Sequence, residues 1–275
     1  MIQIFRSLLF VPGARPERFD KAVGTDADTI IIDLEDAVLP DQKDTARAAA
    51  LSWLGARKAG AIAGLRINSP RSADGCADIA ALAAGGVLPD FIMVPKAETS
   101  IDMEIVREAL GLSLPLMAVI ESGRALGNAY DVAGKADGGV LFGGADFSAS
   151  LGADLANWDA MLTARGTIAA ACAAAGVPAY DVPFLDVKDE AGLIVSTGRA
   201  KLMGFSGRAC IHPSQVDPVN GVFSPSEAEF EDARAIIKSL ADSGGGAVLH
   251  KGKLVDRPVI LAAQRTLAKA GKQEK

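Results

Sequence analysis

The sequence predicts an α/β protein whose main body is a closed (β/α)8 TIM barrel. Eight short apolar runs recur along the 275 residues, and alanine-rich stretches that favour helix separate them. The runs are continuous rather than alternating, which is typical of strands buried on both faces of a parallel sheet. Eight strand and helix units in a chain of this length fit one barrel, with its active site at the carboxyl ends of the strands.

The charged or turn-forming residues that end these runs are therefore the first candidates for a functional site. The seventh run is the weakest strand prediction, because Pro178 and Pro183 interrupt it. In chain order the runs, with the residues that end them, are Ser7–Gly13, Thr29–Asp36, Gly64–Asn68, Phe91–Lys96, Leu116–Glu121, Val140–Asp146, Val177–Val182 and Phe205–His212.

Helix start and stop signals lie between the runs. Asp44 is expected to open a helix over Thr45–Ala50. Asn157 is expected to cap a long helix over Trp158–Ala175, which Gly176 should end. These signals support the alternation of strand with helix on which the barrel prediction depends.

The character of the sequence changes after residue 222. Ser224–Glu227 has the spacing of a capping box with proline at the first helical position, and the helix that it opens should end near Asp242. We therefore expect a barrel domain over residues 1–222 and a C-terminal helical arm over residues 223–275.

The arm is predicted to contain a lid segment. Ser243–Gly246 predicts a flexible joint, and a final helix is expected from about Arg257 to Ala270, with Asp256 as its N-cap. The arm is expected to be too small for a core of its own, and to pack on the barrel or on a neighbouring subunit.

Composition restricts the class of protein. The formal net charge of −6 argues against general binding of nucleic acid or membrane. The apolar runs are far shorter than the ~20 residues of a membrane-spanning helix. Three cysteines without CxxC spacing indicate neither a disulfide framework nor a zinc knuckle, so a cytoplasmic location is expected.

Two carboxylates end neighbouring runs and are expected to meet at the mouth of the barrel. Glu121 ends the fifth run and Asp146 ends the sixth. Magnesium commonly binds one or two protein carboxylates and completes its octahedron with water and substrate oxygens. Because no histidine or cysteine cluster accompanies the pair, magnesium or manganese is favoured over zinc. A helix N-cap or a surface charge is the alternative for either residue alone.

Arg66 ends the third run between two apolar residues, where an unpaired buried charge would be costly. Its guanidinium suits a carboxylate or a developing enolate oxygen, and a structural ion pair with Glu35 or Asp36 is the alternative. Asp33, Glu35 and Asp36 crowd the end of the second run, where they could hold metal-bound water or orient Arg66. The alternative is local: Asp36 would cap a turn and Asp33 would pair internally.

A basic cluster follows the turn after the first run. Arg15, Arg18 and Lys21 are at helical spacing, which places them on or near one helix face. A phosphate group of a cofactor or substrate is the expected ligand, and a solvated basic face is the alternative. His212 ends the eighth run and is expected to be a hydrogen-bonded structural group. Nucleophilic catalysis is unsupported, because no GxSxG elbow is present.

Seven motifs together resemble one family along nearly the whole chain. The motifs are Arg6–Gly13, Asp33–Val38, Leu65–Asn68, Val94–Lys96, Ile120–Ser122, Phe142–Asp146 and Ile211–Gln215. With these motifs the chain resembles the citrate lyase beta-subunit-like branch of the HpcH/HpaI aldolase superfamily, which also contains malyl-CoA and citramalyl-CoA lyases.

The resemblance implies a magnesium-dependent lyase that cleaves a 3-hydroxyacyl-CoA thioester by reverse Claisen chemistry to acetyl-CoA and a 2-oxo acid. By the family pattern, Glu121 and Asp146 match the metal ligands, and Arg66 and Glu121 match the substrate-binding pair. The basic cluster falls where similar lyases hold the phosphates of CoA. Asp256 matches a catalytic lid aspartate that similar lyases, as trimers or hexamers, supply to a neighbouring subunit.

Two other functions remain open at this point. The chain could be the lyase subunit of a citrate lyase complex, in which an acyl carrier protein carries the thioester. It could also be a non-catalytic barrel that binds an acyl-CoA or a 2-oxo acid. The complete carboxylate pair argues against the second alternative.

Overall fold

Eight parallel strands form a closed barrel in the order β1 to β8, which confirms the predicted fold class. The structure is a computed structural model, and it describes residues 3–111, 113–242, 248–250 and 253–270. The barrel strands are β1 Ser7–Pro12, β2 Thr29–Asp33, β3 Ala63–Arg66, β4 Phe91–Val94, β5 Leu116–Ile120, β6 Gly139–Phe142, β7 Ala179–Asp181 and β8 Gly207–Cys210; a separate antiparallel pair consists of β9 Val248–His250 and β10 Lys253–Val255.

Helices follow the barrel strands and continue beyond the barrel. Short 3-10 turns occur at Pro16–Arg18, Pro40–Gln42 and Pro213–Gln215. The α-helices are α1 Phe19–Val23, α2 Lys43–Ala56, α3 Ala73–Gly85, α4 Ser100–Leu110, α5 Gly123–Gly127, α6 Ala129–Ala133, α7 Gly144–Leu151, α8 Trp158–Ala175, α9 Glu190–Leu202, α10 Val216–Phe223, α11 Glu227–Asp242 and α12 Arg257–Ala270. Within the described residues, none of these helices is both long enough and apolar enough to cross a membrane.

The barrel interior is filled by side chains rather than by a channel. Gly64 leaves room for the ring of Phe91, because a Cβ built at Gly64 would lie 2.3 Å from Phe91 Cζ. The buried residues of this core are Phe5, Leu8, Ile31, Phe91, Met93, Met117, Val119, Leu141, Tyr180 and Ala209.

The register of the first three strands determines which side chains meet at the carboxyl ends. Pro12 of β1 pairs with Asp33 of β2, and Asp33 pairs with Arg66 of β3. The carboxylate of Asp33 and the guanidinium of Arg66 therefore start from neighbouring backbone positions.

The weakest predicted strand, β7, is short but anchored by buried charge. Asp181, at its end, pairs with Arg165 of α8 at 2.9 Å and with Arg208 of β8. The three side chains are almost fully buried. These ion pairs connect β7 to the neighbouring strand and to a covering helix, although prolines limit its length.

The predicted limits of α8 are confirmed, whereas the predicted start of α2 is not. The Asn157 side chain accepts hydrogen bonds from the N–H groups of residues 159 and 160, and Gly176 ends α8 at φ 72°, as expected. Asp44 does not open its helix, because α2 begins at Lys43 directly after a 3-10 turn. Asp44 instead pairs with Arg47, one turn later, at 2.6 Å.

The capping prediction for α11 was wrong by two residues. The helix begins at Glu227, and the reciprocal bonds of a capping box join Ser226 and Glu229. Two overlapping copies of the same sequence spacing explain the error. The predicted end at Asp242 and the limits of α12 are confirmed.

The chain divides into two compact units, Met1–Asn220 and Gly221–Lys275. The second unit has a small apolar core of its own, which corrects the expectation that the arm would lack one: Ala233, Ile236, Val255 and Ala263 are buried together. The predicted joint at Ser243–Gly246 lies outside the described residues.

Candidate active site

A cavity of about 390 Å³ opens at the carboxyl ends of the barrel strands. Most of the predicted site residues at the strand ends line it, and an apolar wall from the seventh and eighth strand ends completes it. The polar lining residues are Asp33, Asp36, Arg66, Glu121 and Asp146, and the apolar wall includes Val182, Pro183, Leu185 and Ile211.

Arg66 is fixed in the cavity wall by a two-pronged ion pair with Asp33. Its Nε and Nη2 donate to Asp33 Oδ1 and Oδ2 at 2.7 and 2.6 Å. Its guanidinium lies over the Phe10 ring at 5.0 Å. Burial opposes the charge, but Asp33, with Glu35 and Asp36, raises the pKa of Arg66 above its usual value. Arg66 is therefore a permanent cation in a fixed orientation.

Asp33 is itself held by backbone donors of the loop that follows β2. Its Oδ1 accepts the N–H of Glu35 at 2.9 Å, and its Oδ2 accepts the N–H of Ala37 at 3.3 Å. Two backbone donors and the Arg66 fork fix both carboxylate oxygens. Asp33 therefore holds the guanidinium of Arg66 in one orientation, a contact that fits both an orienting role and the internal pairing that the sequence offered as alternatives.

Glu35 lies between two cations. Its Oε1 accepts a short hydrogen bond from Lys96 Nζ, and its Oε2 is 3.0 Å from Arg66 Nη1. Oε2 is buried, and no residue that the structure describes donates an aligned hydrogen bond to it. Burial raises the pKa of Glu35, while Arg66 and Lys96 oppose part of that rise. Asp36 is more exposed, at 3.6 Å from Lys96 Nζ.

Lys96 is a site residue to which sequence reasoning gave no role. Its backbone N–H donates to Glu121 Oε1 at 2.5 Å while its ammonium pairs with Glu35. Burial opposes its charge, but the hydrogen bond and charge of Glu35 raise the pKa of Lys96. The available signal was its place at the end of the fourth run, which is equivalent to the places of Arg66 and Glu121.

Glu121 is a buried carboxylate whose pKa is raised above its usual value. Its exposed fraction is 6%. Burial, and then the negative charge of Glu35, raises the pKa of Glu121 to about 8. Gly143, after β6, packs against it, because a Cβ at Gly143 would lie 2.4 Å from Glu121 Cβ. The side chain is therefore confined between the Lys96 N–H and the backbone of residue 143.

Asp146 approaches the same cavity from the first turn of α7 and is exposed. Its negative charge is among the causes that raise the pKa of Glu121, so the two carboxylates interact. Within the described residues, no group of three or more His, Cys, Asp or Glu side chains could hold a metal. Two carboxylates that line one cavity, Glu121 buried and Asp146 exposed, fit magnesium, which leaves other coordination positions to water or substrate.

A second layer of hydrogen bonds supports the ends of β2 and β3. Lys43 Nζ donates to the carbonyls of Leu34 and Glu35 at 2.8 and 2.7 Å, and to Asn68 Oδ1 at 2.6 Å. Asn68 in turn donates to the buried carboxylate of Asp78 at 2.8 Å. This network fixes the loop that carries Asp33, Glu35 and Asp36.

The remaining predicted residues lie outside the cavity lining. Arg15, Arg18 and Lys21 are exposed, and within the described residues their side chains form no ion pair. Asp256 belongs to the second unit, is exposed, and accepts a hydrogen bond from the N–H of Val259 at 3.4 Å, which is the cap geometry expected for it. His212 pairs with Ser214 at 2.8 Å in a local turn.

Comparisons with known proteins agree with the barrel and its motifs. The family model for HpcH/HpaI aldolase/citrate lyase matches residues 6–213. A (3S)-malyl-CoA thioesterase of Cereibacter sphaeroides is 36% identical over 97% of this chain and 94% of its own length. A citrate lyase subunit beta of Escherichia coli is 32% identical over 96% of this chain and 93% of its own length.

Solved structures show the same similarity. CitE from Mycobacterium tuberculosis, in complex with magnesium, acetoacetate and coenzyme A, has a TM-score of 0.82 and 32% identity, covering 98% of this chain and 100% of that chain. RipC from Yersinia pestis has a TM-score of 0.72 and 37% identity, covering 82% of this chain and 97% of that chain. The resemblance seen in the sequence motifs is thereby confirmed, and the chain belongs to the HpcH/HpaI aldolase/citrate lyase family.

Proposed function

We propose that the chain is a magnesium-dependent carbon–carbon lyase that cleaves a 3-hydroxyacyl-CoA thioester of the malyl or citramalyl type. The products would be acetyl-CoA and glyoxylate or pyruvate. The observation that carries this proposal is the convergence of Glu121, Asp146 and the Arg66–Asp33 pair on one cavity. Relatives named for citrate lyase and malyl-CoA chemistry, and a similar structure with magnesium and coenzyme A, support it.

The chemistry requires charge stabilisation on both sides of the bond that breaks. Magnesium held by Glu121 and Asp146 would supply a Lewis acid for the hydroxyl and carboxylate oxygens of the substrate. Transfer of the hydroxyl proton to Asp256 would form the carbonyl of the 2-oxo acid, while the electrons of the carbon–carbon bond pass to the thioester enolate. Arg66, held rigidly by Asp33, would stabilise the enolate oxygen.

The enolate must then gain a proton at carbon to become acetyl-CoA. We assign this proton traffic to Asp256, supplied as part of a lid to the site of a neighbouring subunit in a homo-oligomer, a trimer or hexamer. The lid would exclude water from the enolate. Arg15, Arg18 and Lys21 would hold the phosphates of CoA, and their exposure without ion pairs leaves them available to anions.

The first experiment is an assay of purified protein with magnesium and each of malyl-CoA and citramalyl-CoA. Acetyl-CoA and the matching 2-oxo acid are the expected products. Release of free CoA and intact hydroxy acid would instead indicate thioester hydrolysis, a second candidate that the malyl-CoA thioesterase relative favours. No acetyl-CoA from either thioester, but turnover of citryl-acyl carrier protein, would indicate a citrate lyase subunit, as the beta-subunit relative suggests.

The metal assignment is tested with charge-removing variants. Glu121→Gln and Asp146→Asn should each weaken Mg²⁺ and Mn²⁺ binding and abolish most turnover, because each removes one anionic oxygen ligand. Asp131→Asn is the matched control, since Asp131 is an exposed carboxylate on α6 outside the cavity. Wild-type metal binding and turnover in the two site variants would contradict the assignment.

The role of Asp256 is tested separately. Asp256→Asn should lose most turnover and keep metal binding, whereas unchanged turnover would leave Asp256 as only a helix cap. Mixing Asp256→Asn protein with Arg66→Ala protein should restore part of the activity, because a mixed oligomer would contain some complete sites. Absence of rescue in verified mixed oligomers would contradict sharing between subunits.

A further inference from the structure

Lys96 is the one residue other than glycine with a positive φ among those that the structure describes, and its φ is 51°. A lysine enters this left-handed region at a cost, because its Cβ crowds the following carbonyl oxygen. Such outliers persist where surrounding contacts hold them, and they concentrate at functional sites. Lys96 directly follows the end of β4 and its proline, at the mouth of the barrel.

The left-handed turn changes the direction of two backbone donors. In an extended strand, successive N–H groups point to opposite sides of the strand. Here the N–H of Lys96 donates to Glu121 Oε1 at 2.5 Å, and the N–H of Ala97 donates to the Val119 carbonyl at 3.3 Å. Both acceptors belong to β5 or the residue directly after it. The turn therefore aims successive donors at one neighbouring strand, as in backbone nests that bind anions.

The hydrogen bond to Lys96 distinguishes the two oxygens of Glu121. Oε1 is held by the backbone N–H, whereas Oε2 lies on the side of Gly143, where an added Cβ would approach it to 2.9 Å. The backbone N–H thus fixes the position of Oε1, and this determines where Oε2 lies in the cavity. This is the arrangement in which outer hydrogen bonds orient the ligands of metal sites.

The lysine side chain connects the same residue to a third strand. Its ammonium pairs with Glu35, after β2, and lies 3.6 Å from Asp36. Lys96 therefore joins the acidic loop after β2 to the carboxylate after β5. A residue that served only as a turn would require neither contact.

We propose that Lys96 is a positioning residue for Glu121, whose left-handed backbone aims an N–H at Oε1 and so holds the carboxylate ready for a divalent cation. This inference rests on the metal site of the proposed function. It assigns the role to the backbone conformation at residue 96, and the side chain contributes by anchoring that conformation to Glu35.

The test compares substitutions that differ in backbone preference but share the loss of the ammonium. Lys96→Gly and Lys96→Asn tolerate the left-handed region, whereas the β-branched Lys96→Val does not. The probe is Mn²⁺ alone, titrated into substrate-free protein and measured by the electron paramagnetic resonance signal of free Mn²⁺. Thermal unfolding of every variant establishes that it is folded.

The glycine and asparagine variants are expected to bind Mn²⁺ with similar affinity, and the valine variant should bind about 10- to 100-fold more weakly. If Lys96→Val does not fold, Lys96→Ala replaces it, with an expected loss of about fivefold relative to glycine. Equal Mn²⁺ affinities in the folded glycine and valine variants, or glycine and alanine variants, would overturn the proposal.

Two further samples separate this inference from the metal assignment. Wild-type protein should bind Mn²⁺, and Glu121→Gln should lose most of that binding. A wild-type protein that does not bind Mn²⁺ would overturn the metal site, and the role of Lys96 with it. Wild-type binding that depends on Glu121, together with equal affinities of the residue 96 variants, would overturn only the role of Lys96.

Discussion

Gly143→Ala should damage the proposed metal site through a single added methyl group. The new Cβ would lie 2.4 Å from Glu121 Cβ, 2.8 Å from Val119 Cγ1 and 2.9 Å from Glu121 Oε2. Relief of the contact with Glu121 Cβ requires that β6 move away from β5, because side-chain rotation leaves that Cβ in place, and relief of the contact with Oε2 requires that the carboxylate leave the Lys96 N–H. The first costs about 1–3 kcal/mol of unfolding free energy, typical of overpacking. The second lowers metal affinity by about 10- to 100-fold.

Both consequences are measured on one preparation, by urea unfolding without metal and by titration calorimetry with Mn²⁺. Gly127→Ala is the matched control, because a Cβ at Gly127 meets no atom within 4 Å. The control should keep the Mn²⁺ affinity of the wild-type protein. Wild-type stability together with wild-type Mn²⁺ affinity in Gly143→Ala would show that Glu121 does not pack against Gly143, and would refute this description of the site.

The remaining predictions concern protons, charge and a helix. The pKa of Glu121 is raised to about 8, so a cation that binds below this pH must displace its proton. Mn²⁺ affinity should therefore rise by about tenfold per pH unit below pH 8 and level off above it. An Mn²⁺ affinity that does not change from pH 6 to 9 would contradict this. Between about pH 4.5 and 8, Glu121 keeps a proton in the native state that it has released in the unfolded chain. Its contribution to the unfolding free energy of the metal-free protein should therefore fall as pH rises. Glu121→Gln should remove this pH-dependent contribution. Arg66→Ala should cost about 3–5 kcal/mol in urea unfolding, because it leaves the buried carboxylate of Asp33 without its cation while Glu35 keeps Lys96. Arg66→Lys should cost less, and equal losses would contradict the role of charge. Gly166→Ala, in open space within α8, should raise stability by about 0.5–1 kcal/mol in the same assay, and an unchanged midpoint would argue against the helix benefit.

The placement of the site could be predicted because a parallel barrel aligns the carboxyl ends of its strands. Continuous apolar runs located those ends to within a few residues, so Arg66, Glu121 and Asp146 were expected at one mouth, and the cavity lining includes all three. The prediction needed no interatomic distances, because the topology of a parallel barrel places the carboxyl ends of all its strands at the same end. The fold class was predicted correctly although the sequence signal of the seventh strand was weak, because the other seven runs already indicated a parallel barrel.

The pairing within the site could not be read from the sequence, because it depends on register and backbone conformation. The expected ion pair of Arg66 with Glu35 is present at 3.0 Å, but Asp33, at the paired position in the β2–β3 register, accepts hydrogen bonds from two nitrogens of the same guanidinium. The left-handed conformation of Lys96 has no sequence signal, because lysine is not a residue that favours it. Tertiary contacts determine that conformation.

Ion pairing also divides the carboxylates at the mouth into two groups. Asp33 and Glu35 are neutralised by Arg66 and Lys96, so they belong to the supporting framework. Glu121 and Asp146 form no ion pair with any residue that the structure describes. Because burial raises the pKa of Glu121 to about 8, a proton compensates much of its charge at neutral pH until a cation replaces it. Arg66 attracts an anionic substrate whether or not that cation is bound. The same strand ends therefore supply a fixed cationic anchor in Arg66 and, in Glu121 and Asp146, an acidic pair without an ion-pair partner among the described residues, which is the proposed place for a divalent cation.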